Sequence, residues 1–413
     1  MTKRLNEVRI KTKLMQLLET DKKNNVLDSM MRIIDQRRKE IIAANQKDLD
    51  AFSKDDQALY DRLVVDEAKV DDMIRAIKEV KVQDDPVGNN IAEKKLDSGL
   101  EIINKTAPFG TIMIIYESRP DVTIEAAVLA FKANNKILLK GGKEAKHSNL
   151  VLESCWHEAL AENNLSKDWI RLMQMDRHET REFLKNPTEP LDLIVPRGGE
   201  RLINFVKENA TCAVLISGRG NNFLYVSPKA DWDKAKKVII NAKTNKISGC
   251  NALDKVLLDK NIENYEEKVA DLYSSLKEVN VAVWADESIH ALCPETKLLT
   301  DKEAWYEEFL AMKILVAEVS SMSEAIQKIN KYSGGHSTAI ITEDKTEALA
   351  FMEQIDSAAV YHNASTRFTD GGQMGVGAEL AISTDKLHHR GPLGLKQLVT
   401  NKYYVFGDGH IRV

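Results

Sequence analysis

The sequence contains few cysteines and little proline or glycine. Of its 413 residues, four are cysteine, nine are proline and twenty are glycine. This scarcity excludes a disulfide scaffold, a collagen and a low-complexity disordered chain. Cys155, Cys212, Cys250 and Cys293 stand far apart without a C-x-x-C pair, which argues against a zinc site or a thioredoxin-like motif. Four isolated cysteines predict reduced thiols and a cytoplasmic protein.

Long apolar runs and a strong excess of one charge are also lacking. No segment approaches the roughly 20 apolar residues needed to span a bilayer. Residues 1–20 carry five basic side chains but no apolar core of an export signal. The formal net charge of −5 argues against a general nucleic-acid binder. The nine histidines show no H-x-x-x-H spacing, so we expect no metal site.

The sequence alternates between helical and strand patterns. From Val8 to about Lys81, apolar residues recur every three or four positions between charged ones, which predicts helices. Residues 92–106 have the pattern of a hairpin. Strand-like apolar runs then alternate with helical segments on both sides of Asp231. This order predicts an α/β fold with a parallel, doubly wound sheet and a second α/β domain; at about 150 residues per domain the length allows two or three domains.

Two glycine-rich turns each follow a predicted strand. They are residues 140–143 (Lys-Gly-Gly-Lys) and 197–199 (Arg-Gly-Gly). Ligands of α/β sheets bind beyond the carboxyl ends of the strands, and the N–H groups of a following helix can bind phosphate. Neither turn is a G-x-G-x-x-G or Walker motif, so plain turns remain an alternative. The basic residue in each turn favours a phosphate-bearing cofactor.

Cys250 is the candidate nucleophile. It lies among small residues between a predicted helix and a predicted strand, with Lys243 and Lys246 nearby in sequence. Cations close to a thiol lower its pKa and increase the fraction of nucleophilic thiolate. The alternative is a buried structural cysteine, which suits Cys155 on a helix and Cys212 in an apolar strand better.

A polar loop near the C-terminus is a further candidate. Residues 363–372 (Asn-Ala-Ser-Thr-Arg-Phe-Thr-Asp-Gly-Gly) show no amphipathic period. A long polar loop in a compact chain is often functional. The planar guanidinium of Arg367 matches a carboxylate or a phosphate, with a solvated loop arginine as the alternative.

Several of these motifs resemble one enzyme family. Residues 116–120 (Tyr-Glu-Ser-Arg-Pro) are similar to a signature of the γ-glutamyl phosphate reductases, which belong to the aldehyde dehydrogenase superfamily. Both glycine turns, residues 250–253 (Cys-Asn-Ala-Leu) and the run 356–392 are similar as well. The resemblance covers nearly the whole chain, in the same order and at the same intervals.

The resemblance implies an aldehyde dehydrogenase-like architecture and a reaction. It assigns residues 1–90 and 108–230 to a Rossmann-like NADPH-binding domain, 231–394 to an α/β catalytic domain, and 91–107 and 395–413 to a β flap for oligomerisation. The implied protein is a cytoplasmic homo-oligomer, a dimer or a tetramer. The implied reaction is the NADPH-dependent reduction of L-glutamyl 5-phosphate to L-glutamate 5-semialdehyde and phosphate through a cysteine thioester. This reaction is the second step of proline biosynthesis from glutamate.

The resemblance also implies roles for single residues. Cys250 is the nucleophile, and Ser118 occupies the position of an oxyanion-binding asparagine in related enzymes. Lys143 replaces an acidic residue that binds the ribose of NAD, which favours NADPH. Leu215 stands where hydrolytic relatives have a glutamate that activates water. The implied cofactor ligands are Lys140, Lys143, Gly198, Gly199 and Glu308, and the implied substrate ligands are Arg119, Lys243, Asn363 and Arg367.

One departure from the family and two alternative functions remain. Lys246-Ile247 stands where the family usually has Arg-Pro, which keeps the charge but loses bidentate anion binding. A related enzyme that uses a coenzyme A thioester is the first alternative, and the signature at 116–120 argues against it. A binding or structural protein without the chemistry is the second, and the presence of Cys250 argues against it. Contact with glutamate 5-kinase stays open.

Overall fold

The computed structural model describes residues 16–53 and 57–412. Contacts divide the chain into two compact units. Unit 1 comprises the described residues of Met1–Ile216, Val376–Ala381 and Leu393–Val413, and unit 2 comprises Ser217–Gly375 and Ile382–Pro392. The part of the predicted helical stretch from Val8 to residue 15 lies outside the described residues. No helix in the described ranges is long and apolar enough to cross a membrane.

A parallel five-stranded sheet forms the centre of unit 1. All six residues of its strand Thr111–Tyr116 are buried, as expected for a strand covered on both faces. The register places Lys140 opposite Ile115 and Arg197 opposite Tyr116, so three adjacent strands end at the same edge. The hydrogen-bonded order is Ile170–Leu172, Lys136–Lys140, Thr111–Tyr116, Leu193–Arg197 and Ala213–Val214.

Amphipathic helices cover this sheet. Helix Thr20–Gln36 buries Val26, Met30 and Ile33, which follow the three- and four-residue spacing of the sequence. These side chains join the apolar cluster that contains the central strand. The helices described in unit 1 are Thr20–Gln36, Arg38–Asp50, Gln57–Leu63, Glu67–Lys81, Pro120–Lys132, Lys146–Glu162, Arg177–Lys185 and Glu200–Asn209.

A separate three-stranded antiparallel sheet also belongs to unit 1. Strands Asn90–Lys95 and Glu101–Pro108 form the predicted hairpin, and Val399–Phe406 pairs with the second of them. Gly99 in the hairpin turn has a φ of +89°, which glycine adopts without strain. Apolar side chains of this sheet are exposed, Tyr403 among them. The expected role of the sheet in oligomerisation stays a prediction.

Unit 2 contains a parallel seven-stranded sheet. Its strand Leu253–Asp259 is buried throughout and begins three residues after Cys250. The turn that carries Cys250 therefore leads directly into the core of the sheet. The strand order is Lys297–Leu298, Ala282–Ala285, Lys313–Val319, Leu253–Asp259, Asn222–Val226, Ser337–Ile341 and Ala359–His362. The helices described are Trp232–Thr244, Tyr265–Glu278, Glu287–Leu292, Met322–Tyr332 and Lys345–Gln354.

The predicted α/β fold with parallel sheets is confirmed, and the structure adds elements. Strand Asn222–Val226 belongs to the sheet of unit 2, so this unit begins at Ser217 rather than near Asp231. Periodicity predicts neither Lys313–Val319 nor Ala359–His362, because a short apolar run does not distinguish a strand from a helix. Two short strands, Glu379–Ser383 and Gly391–Gly394, pair with each other.

Candidate active site

Cys250 lies in a turn of unit 2 between helix Trp232–Thr244 and strand Leu253–Asp259, and its residue is half-buried. The buried side chain of Asn222 holds the backbone of this turn. Its Nδ2 donates to the carbonyl oxygens of Cys250 at 2.8 Å and Ala252 at 2.7 Å. Asn222, a residue of the neighbouring strand, therefore fixes the position of the turn that carries the thiol.

Gly220 approaches the backbone of Cys250 closely. A Cβ at position 220 would lie 1.8 Å from the carbonyl oxygen of Cys250 and 2.6 Å from its Cα. Backbone atoms cannot rotate away as a flexible side chain can. Glycine is therefore required at position 220 for Cys250 to occupy its place.

The predicted polar loop packs against the Cys250 turn. The Nδ2 of Asn251 donates to the carbonyl oxygens of Arg367 at 3.1 Å and Thr369 at 2.9 Å. The hydroxyl of Thr366 donates in return to the carbonyl oxygen of Asn251 at 2.8 Å. Two of the residues that the sequence singled out, Cys250 and Arg367, are thus brought to neighbouring segments of unit 2.

The guanidinium of Arg367 extends over the turn. Its Nε donates to the carbonyl oxygen of Asn245 at 2.8 Å, and a Cβ on Gly249 would lie 2.7 Å from one terminal nitrogen. Burial lowers the pKa of Arg367, and its electrostatic interaction with Cys250 acts in the opposite direction. A fixed cation beside a thiol favours the thiolate form.

The other three cysteines have the properties of structural thiols. All four cysteines are free, and Cys155 and Cys293 are buried. Burial raises the pKa of Cys155 and of Cys212 to about 11, and it also raises the pKa of Cys293. Thiols with such pKa values are protonated near neutral pH and are poor nucleophiles.

Two predicted substrate ligands are engaged inside unit 2. Lys243 is 0% exposed, and its Nζ binds Oδ1 of the buried Asp254 at 2.9 Å. Asn363 donates from Nδ2 to the carbonyl oxygen of Thr342 at 2.9 Å and accepts from the Thr342 N–H at 3.0 Å. The structure thus gives both side chains partners within the fold, and their contact with a substrate stays a prediction.

Glu308 is half-buried in the irregular segment before strand Lys313–Val319. The carbonyl of Glu307 before it and the N–H of Phe309 after it both bind side chains of strand Leu253–Asp259. The backbone on each side of Glu308 is therefore fixed to the strand that follows the Cys250 turn.

The first glycine turn of unit 1 carries one engaged and one exposed lysine. Lys140 donates from Nζ to the carbonyl oxygen of Gly141 at 2.8 Å, and burial lowers its pKa. Lys143 is exposed at the start of a short 3-10 helix. A Cβ on Gly141 would lie 2.3 Å from the side chain of Asn149, so this turn needs glycine.

The second glycine turn lies at the start of helix Glu200–Asn209. The N–H of Gly199 donates to Oε2 of Glu117 at 3.3 Å, and a Cβ on Gly198 would lie 2.4 Å from the same oxygen. A Cβ on Gly199 would meet no atom within 4 Å. The helix start is open at Gly199, but a phosphate there would share it with the Glu117 carboxylate.

Ser118 has both of its donors engaged in unit 1. Its N–H and its hydroxyl donate to Oε1 of Glu144 at 2.7 Å and 2.8 Å. The residue is 2% exposed and has a φ of +35°, which is unusual for a residue other than glycine. The expected role of Ser118 as an oxyanion donor requires release of its hydroxyl from Glu144 and stays a prediction.

Arg119 belongs to a charge cluster around Asp121. The Arg119 guanidinium and the Lys69 ammonium bind the same oxygen of Asp121, at 3.1 Å and 3.0 Å. Burial alone would raise the pKa of Asp121, but the two cations lower it below its usual value. Burial and the charge of Asp121 raise the pKa of nearby Glu125.

Sequence reasoning overlooked the residues that position the thiol. A Gly-Asn-Asn run before an apolar strand is the signal for Gly220 and Asn222. The adjacent charges of Asp254 and Lys255 at the start of an apolar strand are a second signal, because buried charges need partners. The two hydrogen bonds from Ser118 to the Glu144 carboxylate have no comparable signal in the local sequence.

Comparisons with known proteins match the whole chain. The model of the Aldehyde dehydrogenase family matches residues 6–290 and 296–379. A γ-glutamyl phosphate reductase of Dictyoglomus thermophilum is 39% identical over 414 residues, which cover 100% of this chain and 99% of the relative. One of Thermotoga maritima is 41% identical over 396 residues, which cover 95% and 94%.

Solved structures show the same likeness. The crystal structure of γ-glutamyl phosphate reductase from Thermotoga maritima has a TM-score of 0.92 at 39% identity, covering 100% of this chain and 99% of that one. The glyceraldehyde-3-phosphate dehydrogenase of Methanocaldococcus jannaschii, complexed with NADP, has a TM-score of 0.65 at 15% identity, covering 98% and 94%. At 15% identity the second likeness shows the fold alone.

Proposed function

The chain is an oxidoreductase that belongs to the γ-glutamyl phosphate reductases of the aldehyde dehydrogenase family, and we propose that it reduces L-glutamyl 5-phosphate to L-glutamate 5-semialdehyde and phosphate with NADPH. The reaction would be the second step of proline biosynthesis from glutamate. The observation that carries the proposal is the Cys250 turn, where a half-buried thiol lies beside the Arg367 guanidinium. Similarity over the full length to reductases of that name supports the choice of substrate.

Cys250 is the proposed nucleophile. Its thiolate attacks the acyl carbon, the bond from that carbon to the phosphate oxygen breaks, and phosphate leaves with the electron pair. The product is a thioester on Cys250. Reduction of this thioester to the aldehyde level needs a hydride, which NADPH would supply when it is bound. Cleavage of the carbon–sulfur bond releases the semialdehyde and restores the thiolate.

Two further residues shape this chemistry in the proposal. The peptide N–H of Cys250 is a proposed oxyanion donor, and Ser118 keeps the catalytic role that the resemblance implies. Leu215 is 4% exposed and belongs to the apolar cluster of unit 1. By resemblance, Leu215 stands where hydrolytic relatives have a glutamate that activates water, and a leucine side chain cannot accept a proton.

The donor groups at the strand ends of unit 1 suit a dinucleotide phosphate. Gly199 leaves open space at a helix start, and its peptide N–H would bind phosphate once the Glu117 carboxylate that now accepts from it is displaced. Lys140 and Lys143 add positive charge, and the exposed Lys143 is the proposed partner of the 2′-phosphate of NADPH. Gly198 and Glu308 complete the proposed set, with Glu308 on the nicotinamide ribose.

The proposed substrate ligands are three cationic side chains and one neutral amide, Asn363. Arg119 and Arg367 are the proposed ligands of the anionic groups of glutamyl phosphate, since both residues are half-buried and a guanidinium matches carboxylate and phosphate. Lys243 and Asn363 remain predicted ligands, although their side chains already have partners. Lys246-Ile247 stands in place of the usual Arg-Pro. At this position the ammonium of Lys246 provides a positive charge but not the two parallel hydrogen bonds of a guanidinium.

The proposed setting is a cytoplasmic homo-oligomer, a dimer or a tetramer. Four free thiols suit a reducing compartment. The exposed apolar side chains Tyr403, Val405 and Phe406 on the three-stranded sheet suit contact with a second copy of the chain. Contact with glutamate 5-kinase has no observation in its favour.

An assay in the reverse direction tests the proposed function. Glutamate 5-semialdehyde and NADP⁺ should yield NADPH continuously only when phosphate is present, and coenzyme A should not replace phosphate. Cys250→Ala should abolish turnover, whereas Cys212→Ala, which removes a thiol of raised pKa, should retain it. Turnover that depends on coenzyme A, or full turnover by Cys250→Ala, would contradict the proposal.

A further inference from the structure

The segment around Glu308 is irregular but firmly attached. Residues 307–310 form neither helix nor strand, and Leu310 has a φ of +44°. An irregular segment of this kind keeps its geometry only when other residues hold it. Two consecutive residues of strand Leu253–Asp259 do so.

Asp254 holds the backbone after Glu308. One carboxylate oxygen, Oδ2, accepts from the N–H of Phe309 at 3.0 Å. The other, Oδ1, binds the ammonium of Lys243 at 2.9 Å, and Asp254 is only 2% exposed. The ion pair with Lys243 therefore balances the buried charge of Asp254. It also orients the second carboxylate oxygen, Oδ2, toward the Phe309 amide.

Lys255 holds the backbone before Glu308. Its Nζ donates to the carbonyl oxygen of Glu307 at 2.7 Å and lies 3.6 Å from the ring centroid of Phe309. Lys255 is 0% exposed, and burial lowers its pKa to about 7. The hydrogen bond does not depend on its charge, because the ammonium and the neutral amine both carry N–H groups.

The same end of the strand is attached to the nucleophile. Cys250 precedes Asp254 by four residues, and Asn222 binds the carbonyl oxygens of Cys250 and of Ala252. The thiol turn therefore runs directly into the strand whose first residues hold the backbone around Glu308, and Asn222 of the neighbouring strand holds the turn itself.

We propose that Asp254 and Lys255, supported by Lys243, are positioning residues that hold Glu308 where it binds the nicotinamide ribose. This inference rests on the proposed function, which makes Glu308 a cofactor ligand. The competing account is a purely structural one, in which these buried charges stabilise unit 2 without affecting cofactor binding. The two accounts differ in what a substitution does to the cofactor affinity of the folded protein.

Lys255→Met is the main test variant, with Lys313→Met as its matched control. Methionine keeps the length of the side chain but removes the donor to the Glu307 carbonyl. Lys313 also lies over the Phe309 ring, at 4.0 Å from its centroid, but its bond goes to the Glu307 side chain rather than to the backbone. If Lys255→Met does not fold, Asp254→Asn, which preserves side-chain volume, takes its place.

The first measurement is amide hydrogen exchange of the ligand-free proteins, followed on peptides that cover residues 306–312. Lys255→Met should accelerate exchange of these peptides, and Lys313→Met should not. The second is the NADP⁺ dissociation constant by tryptophan fluorescence titration, which should rise about five- to tenfold in Lys255→Met only. Unchanged exchange, or faster exchange with unchanged NADP⁺ affinity, would overturn the positioning role.

A double-mutant cycle separates this inference from the proposed function. In a Glu308→Ala background, Lys255→Met should cause little further loss of NADP⁺ affinity, because the positioned group is already absent. A full additional loss would show that Lys255 acts independently of Glu308 and would overturn the inference alone. Failure of the unaltered protein to bind NADP⁺ would instead overturn the proposed function, and the inference with it.

Discussion

Gly220→Ala should displace the proposed nucleophile. The added Cβ would lie 1.8 Å from the Cys250 carbonyl oxygen, whereas contacts under 3.0 Å essentially never occur at a Cβ, so the turn has to move by more than about 1 Å. Asn222 opposes the movement, because its Nδ2 binds the same carbonyl oxygen at 2.8 Å. A displacement of about 1 Å in an active site can cost about 100-fold in rate.

The assay for Gly220→Ala is kcat/KM for the phosphate-dependent oxidation of glutamate 5-semialdehyde, with the melting temperature measured in parallel. We expect a loss of about 100-fold. Gly372→Ala is the control in the same unit, because its Cβ would meet only a side-chain oxygen of Asp370, at 3.3 Å, and it should retain activity within about twofold. Nearly normal kcat/KM for Gly220→Ala would refute the close fit between Gly220 and the Cys250 turn.

Three further substitutions test individual assignments. Lys243→Met should leave Asp254 buried without its cation and cost about 3–5 kcal/mol of unfolding free energy, visible as a lower Tm, and an unchanged Tm would argue against a structural ion pair. Burial lowers the pKa of Lys255 to about 7, so the unfolded state binds more protons than the folded state above that pH. The unfolding free energy of the parent protein, relative to that of Lys255→Met, should therefore rise by roughly 2 kcal/mol from pH 7 to pH 9. Urea denaturation at the two pH values measures this difference. A pH-independent difference would contradict that pKa. Lys143→Glu should raise the KM for NADPH and not that for NADH, and an unchanged preference would remove Lys143 from the 2′-phosphate site.

Local patterns were sufficient to predict the central elements of the fold. Strand Thr111–Tyr116 is an uninterrupted apolar run, and helix Trp232–Thr244 has the expected period, so each could be predicted without its neighbours. The hairpin could be predicted because Gly99 marks its turn. Strand Asn222–Val226 needed more information, because its partners come from residues far along the chain.

The candidate site could be predicted only in part, because a sequence shows charge but not burial. Cys250 stood out through its small neighbours, and Arg367 through its polar loop. The positive charge of Lys243 suits a ligand of an anionic substrate. The sequence does not show that this charge is paired with Asp254, which lies in a buried strand after the Cys250 turn. The engagement of Ser118 by Glu144 joins residues 26 positions apart and depends entirely on the folded backbone.

Trapping the thioester tests the central claim most directly. The protein is mixed with glutamate 5-semialdehyde and NADP⁺ without phosphate, quenched in acid and mapped by mass spectrometry. We expect NADPH to form in a burst of about one equivalent per subunit, with the glutamyl group on the peptide that contains Cys250. A burst without acylation of Cys250, or acylation of another residue, would contradict the proposed mechanism.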